Sequence, residues 1–100
     1  MTIAGFVPDL MDRSRVAASG VDVVWVRSPE ELAGAAADLV IVDLSRPGVL
    51  DAVAGLSCAV VGFASHVDRE LLAAARKAGC RQVLARSAFF GRLPEVLDAP

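Results

Sequence analysis

The sequence predicts an α/β domain, a doubly wound open sheet of five parallel strands in the order 2-1-3-4-5 with helices on both faces. Three observations predict it. Valine gathers at 21–26, 40–42 and 60–61 while alanine gathers at 33–37 and 73–78, and these residues suit buried strands and helices respectively. Five short apolar runs each precede a helical pattern, and the connections between them are short, with no linker, repeat or low-complexity segment. Crossovers between parallel strands are almost always right-handed, and of the two common doubly wound orders five strands fit 2-1-3-4-5.

The first run is Thr2–Val7. Asp9 is an N-cap candidate for the helix after it, Asp12 favours that helix's positive end, and Gly20 is a natural stop. The second run, 21–26 (VDVVWV), carries Trp25, expected to pack under the second helix. That helix has the clearest start in the chain: Ser28 as cap, Pro29 at the first helical position, and Glu31 closing a capping box. It is expected to continue through Leu32 and the alanines of 33–37.

The third run, Asp38–Leu44, is almost wholly apolar, as in strands buried on both faces. A short helix at Val49–Gly55 follows. The fourth run is Cys58–Ala64, and Ser65 or Asp68 caps the next helix. Apolar positions 67, 71, 74, 75 and 78 form its inner stripe, with Arg69, Glu70, Arg76 and Lys77 on its wet side. Gly79 ends it. The fifth run is Arg81–Arg86, after which Ser87 can cap a turn at 88–91, and Pro94 divides this from a short helix at 93–98.

One domain and one core account for the 100 residues, so any effect is expected to pass to a separate molecule. A net charge of −2 offers no basic face for nucleic acid. No apolar run reaches the ~18 residues of a membrane helix, and no basic-then-apolar leader opens the chain. A cytoplasmic protein without membrane or nucleic-acid partners is expected. Cys58 and Cys80 each precede a strand at the same sheet edge, where they are expected to remain thiols. Their spacing matches no metal or redox motif.

In such sheets ligands bind outside the C-terminal strand ends where the winding reverses, between strands 1 and 3. Asp43, at the end of LVIVD, stands on that rim. It could be a phosphate acceptor, a metal ligand, or the first polar residue after a buried strand. DLVIVDLSRPG resembles the third strand and following loop of response-regulator receiver domains, a flavodoxin-like family. CAVVGFASHVDRELLAAARKAGCRQVLARS is similar to that family's fourth strand, fourth helix and fifth strand. The resemblance covers nearly the whole chain. It implies that Asp43 holds the phosphoacceptor position, that Ala64 with Ser65 holds the switch position, that Arg86 replaces a lysine, and that Ser87 replaces a proline.

The departures are large. Active receivers carry paired acids at the end of strand 1, which bind Mg²⁺ with the acceptor. Here GFVPDL leaves Asp9 alone, and Mg²⁺ needs several hard oxygen ligands. Arg keeps the charge of the replaced Lys but presents a rigid fork. A hydroxyl shifted to Ser65 faces the other side of a strand. The expectation is a non-catalytic pseudo-receiver without cofactor or metal, its pocket formed by Asp9, Ala64, Ser65 and Arg86 around Asp43. In it an Asp43–Arg86 ion pair takes the cation's place. The alternative is a phosphoryl-accepting receiver with Asp43 as acceptor, Mg²⁺ then bound by Asp9 and Asp43. A small enzyme or ligand-binding domain of the same fold has no catalytic motif to support it.

The remaining candidates are few. His66 is expected in a solvent-facing loop or helix start. Gly62 marks close approach by a neighbour, and no loop has the glycines of a nucleotide cradle. Phe89, Phe90 and Leu93 follow the fifth strand. In receivers this region contacts partners, so the expected partner is a protein, with a homodimer through this face possible. Two adjacent phenylalanines are not expected both to point inward, yet covering the sheet edge is the competing role.

Overall fold

Strands form where the β-branched runs stand, and they are shorter than the runs. The computed structural model describes residues 1–93 and 95–97. The strands are β1 Ile3–Phe6, β2 Val24–Trp25, β3 Leu39–Asp43, β4 Ala59–Ala64 and β5 Gln82–Ala85. All neighbours pair in parallel, and the order is β2-β1-β3-β4-β5. The helices are α1 Leu10–Ala18, α2 Val49–Ala54, α3 Arg69–Lys77 and α4 Arg86–Gly91, with two 3₁₀ helices, η1 Pro29–Ala35 and η2 Glu95–Leu97.

Strand alternation sorts the core into two clusters. Even-numbered positions such as Ala4, Val40, Val42 and Val60 face η1, α2 and α3. Odd-numbered positions such as Ile3, Ile41, Val61 and Phe63 face α1, α4 and η2. The central strand β3 is buried along its whole length, Asp43 included, as its unbroken apolar run requires. Fully burying each large side chain contributes roughly 1.5–3 kcal/mol.

Several local expectations hold. Asp9 caps α1 and accepts from Met11 N and Asp12 N. Asp68 caps α3, and Gly79 beyond that helix takes a left-handed φ of 104°. Gly62 packs against a neighbour, for a Cβ placed there would lie 2.7 Å from Leu44 Cδ2. His66 is exposed. Cys58 and Cys80 are free, half-buried thiols against the same cluster, and burial pushes the Cys80 pKa up.

Other expectations give way to tertiary context. β2 keeps only two of the six residues of its run, because this edge strand pairs on one side and Val24 is 57% exposed. The second helix is a 3₁₀ segment that stops at Ala35. Gly34 weakens it, and Ala36 is left-handed. Ser28 makes no side-chain cap, while Glu31 reaches past it to accept from Arg27 N at 3.1 Å. Trp25 lies over Gly5 on the α1 side of the sheet, not under the second helix, and Arg13 of α1 stacks on its ring at 5.4 Å. Val67 precedes α3 and is 72% exposed, so it is no part of the inner stripe.

Helix α4 begins directly at Arg86 with Ala85 as cap residue, so Ser87 caps nothing. Of the helix expected at 93–98, residues 95–97 form one 3₁₀ turn. Pro94 and residue 98 lie outside the described residues.

Candidate functional site

The C-terminal strand ends bring Asp9, Asp43, Ala64, Ser65 and Arg86 to one rim, as the topology requires. Asp43 is only 3% exposed there. Its Oδ1 accepts from Ser45 N at 3.0 Å and from Ser45 Oγ at 2.6 Å. This is the local turn that Asp forms with the residue two ahead. Arg46 Nε lies 3.5 Å from Oδ2, a longer contact made by a partly exposed side chain.

Arg86 does not pair with Asp43. Its Nη2 donates to Asp12 Oδ1 at 2.7 Å, joining the start of α4 to α1. The expected Asp43–Arg86 pair is therefore corrected, and the reason is packing. The guanidinium lies over the Phe63 ring at 5.2 Å and the Phe90 ring at 5.3 Å. That position aims its donors at α1. Asp12 sits on the same helix face as buried Val16, four residues on, and is itself buried. The Asp12 hydrogen bond raises the Arg86 pKa above its ordinary value, partial burial works against the rise, and the charges of Asp12, Asp43 and Asp9 add to it. Arg86 thus feels the rim acids while bonding to one of them.

Asp9 is committed to its helix. Its Oδ1 accepts from Met11 N at 2.8 Å and Asp12 N at 3.1 Å. These backbone bonds hold its pKa below the usual carboxylate value, with the charges of Arg46 and Arg86 helping. Ala64 is buried at the end of β4, and Ser65 is exposed, its Oγ accepting from Val67 N at 3.4 Å. No hydroxyl from Ser65 is bonded to Asp43.

Asp43, Asp12 and Asp9 each accept a hydrogen bond from the chain's own donors. Among the described residues no group of three His, Cys, Asp or Glu side chains is placed to hold one metal ion.

Three contributors escaped the sequence reading of the rim: Ser45, Arg46 and Asp12. Asp43-x-Ser45 is a turn signature and could have been read. Asp12 was legible only as a first-turn acid. Its burial depends on α4 coming across from the far end of the chain.

After β5 the structure follows the second of the two readings, in which both rings cover the sheet. Phe89 is fully buried and stacks on Phe63 with centroids 4.6 Å apart. Phe90 is half-buried and meets Phe63 edge-on at 5.2 Å, with the Arg15 guanidinium 5.2 Å from its centroid. Both rings contact the sheet residue, because α4 lies close enough for one to stack and its neighbour to approach by its edge. Phe89 is thus core and no partner contact, while Phe90 and Leu93 are half-buried.

Compared with known proteins, the sequence matches no protein-family model and no curated protein. Solved structures do match the fold. A response regulator from Thermotoga maritima is 18% identical with a TM-score of 0.72, covering 99% of each chain. A CheY-like protein (tadZ) from Pseudomonas aeruginosa PAO1 is 21% identical with a TM-score of 0.67, covering 97% of this chain and 91% of that one. A CheY-like response regulator from Mesorhizobium loti is 18% identical with a TM-score of 0.65, covering 96% and 94%. The fold is that of CheY-like receiver domains.

Proposed function

We propose that this chain is a non-catalytic pseudo-receiver, a signalling domain that works through contact with a protein partner in the cytoplasm. One observation carries the reading: both buried rim acids have an arginine of the same chain beside them, Asp12 with Arg86 at 2.7 Å and Asp43, by a longer contact, with Arg46 at 3.5 Å. A working receiver brings a cation to that place, because an incoming phosphoryl group adds negative charge that must be offset. Asp9 Oδ1 is held as a helix cap, and among the described residues no three His, Cys, Asp or Glu side chains are grouped to recruit one. No helix among the described residues is long and apolar enough to cross a membrane.

Incubation with Mg²⁺ and acetyl phosphate, read by intact mass, tests this reading. The expected outcome is no phosphate adduct. An adduct that disappears in Asp43→Asn would establish the alternative, a phosphoryl-accepting receiver.

A further inference from the structure

The η1–α2–α3 side of the sheet is cut by an open groove of about 500 Å³ between the β3–α2 loop and the start of α3. Leu44, Leu50 and Leu71 form its apolar lining, and Asp51 and Asp68 line it beside Arg46. A second hollow of about 280 Å³ adjoins it, lined by Pro29, Glu30 and Ala33. Gly48 and Asp51 line both. Having no side chain, Gly48 leaves the saddle between them open.

The groove lies where two of the helical segments on this side diverge. Helix α2 has six residues and η1 is a seven-residue 3₁₀ segment. α2 packs on η1 while α3 packs on β4 and β5, and the gap falls between them.

Its charges are unbalanced. Among the described residues, Glu30, Asp51 and Asp68 have no ion-pair partner, and Arg46 is turned toward Asp43. Asp68 uses Oδ1 to cap α3. A lining that is apolar along its walls and acidic at separated points is complementary to a segment of opposite pattern. Rim charges of this kind select partners by sign.

We propose that this groove docks a peptide segment of a partner protein in which basic side chains alternate with apolar ones. The apolar side chains enter between Leu50 and Leu71, and the basic ones meet Asp51, Asp68 and Glu30. The proposal rests on the pseudo-receiver reading and names the partner's chemistry. It also ties docking to the rim, since Arg46 lines the groove and contacts Asp43.

Fluorescence anisotropy with a fluorescein-labelled peptide alternating Arg and Leu tests it. Saturable binding is expected, weakened about tenfold by Asp51→Asn with Asp68→Asn, because charge-assisted hydrogen bonds are lost. Asn remains a good helix cap, so α3 should persist in that variant, and Glu30→Gln gives an independent check with a smaller loss. Asp22→Asn and Glu95→Gln, away from the groove, should leave affinity unchanged. Amide shifts on binding should fall at 44–51 and 68–71. Absence of binding, equal binding of a Glu–Leu peptide, equal loss in the control variants, or shifts confined to α1 and α4 would each overturn the proposal, as would light scattering that shows the groove occupied by a second copy. The two readings fail separately. A phosphate adduct on Asp43 sinks the pseudo-receiver, whereas loss of peptide binding without an adduct sinks only the groove.

Discussion

On one face of the sheet Phe63 packs against Phe89 and Phe90 of α4 and Trp25 lies on the α1 side, with arginines 13, 15 and 86 laid over the Trp25, Phe90 and Phe63 rings. On the other face only Phe6 is aromatic, and valine, leucine and alanine meet three short helical segments with grooves between them. Stacked and edge-on rings supply large contact areas with specific geometry, so that face closes over its sheet residues. Small aliphatic side chains cover the sheet but not the space between helices. The fold thereby separates a sealed side from an open one, and the rim acids lie at the border of both.

The largest test of that contrast is truncation on each face. Phe63→Ala removes the ring on which Phe89 stacks and Arg86 rests, and should cost about 3–5 kcal/mol in denaturant unfolding. Val53→Ala in α2, also buried, should cost about 2 kcal/mol. Equal losses would mean that the aromatic side is no better sealed than the other.

Next comes the ion pair that fastens α4 to α1. Arg86→Ala leaves the Asp12 carboxylate buried without its partner and should cost about 2 kcal/mol. Asp12→Ala should cost less, because Arg86 is partly exposed and water can serve its donors. A loss in Arg86→Ala no larger than in Asp12→Ala would show that burial of the acid is not what matters.

Paired glycine substitutions probe rigidity more gently. A Cβ at Gly5 would lie 2.8 Å from Trp25 Cζ3 and 3.2 Å from the Ile41 carbonyl oxygen. Neither yields easily, since the indole is held by Arg13 and the carbonyl belongs to the sheet. A Cβ at Gly62 would meet the Leu44 side chain first, at 2.7 Å, and a side chain shifts more readily than a carbonyl of the sheet. Both changes fall within the ~1–3 kcal/mol range of overpacking, with Gly5→Ala the costlier. A costlier Gly62→Ala would show that Leu44 is fixed and the open side is not loose.

The smallest effect concerns pH. Asp9 has a lowered pKa because backbone N–H groups bond its carboxylate. Its stabilising contribution is present above the unfolded-state pKa and is lost as pH falls through the lowered folded value. Asp9→Ala should therefore reduce the melting temperature at neutral pH, and the difference should vanish below that value. A difference that persists in strong acid would remove the capping explanation.

The contrast between faces also shows how far the sequence could be read. The strands of the centre were legible because β3 is apolar without interruption and needs no partner to declare itself buried. The α1 start at Asp9 and the α3 end at Gly79 were legible for the same reason: caps are decided by residues a few positions apart. The second helix misled, because Ser28, Pro29 and Glu31 form a strong local signal that a short alanine-rich helix containing Gly34 fails to sustain. Trp25 misled because its side of the sheet depends on strand register, which the pattern VDVVWV leaves open.

What the sequence determined by itself was the α/β architecture, the strand order, and the arrival of Asp43 at the rim. Alternation, capping and turn chemistry act over a few residues, and crossover handedness restricts how the units assemble. What only the tertiary structure decided was which arginine answers which acid and which face is sealed. Arg86 meets Asp12 across 74 positions of chain because the Phe63–Phe90 surface directs its guanidinium, and no local pattern encodes where a long side chain is steered by rings brought together from separate elements.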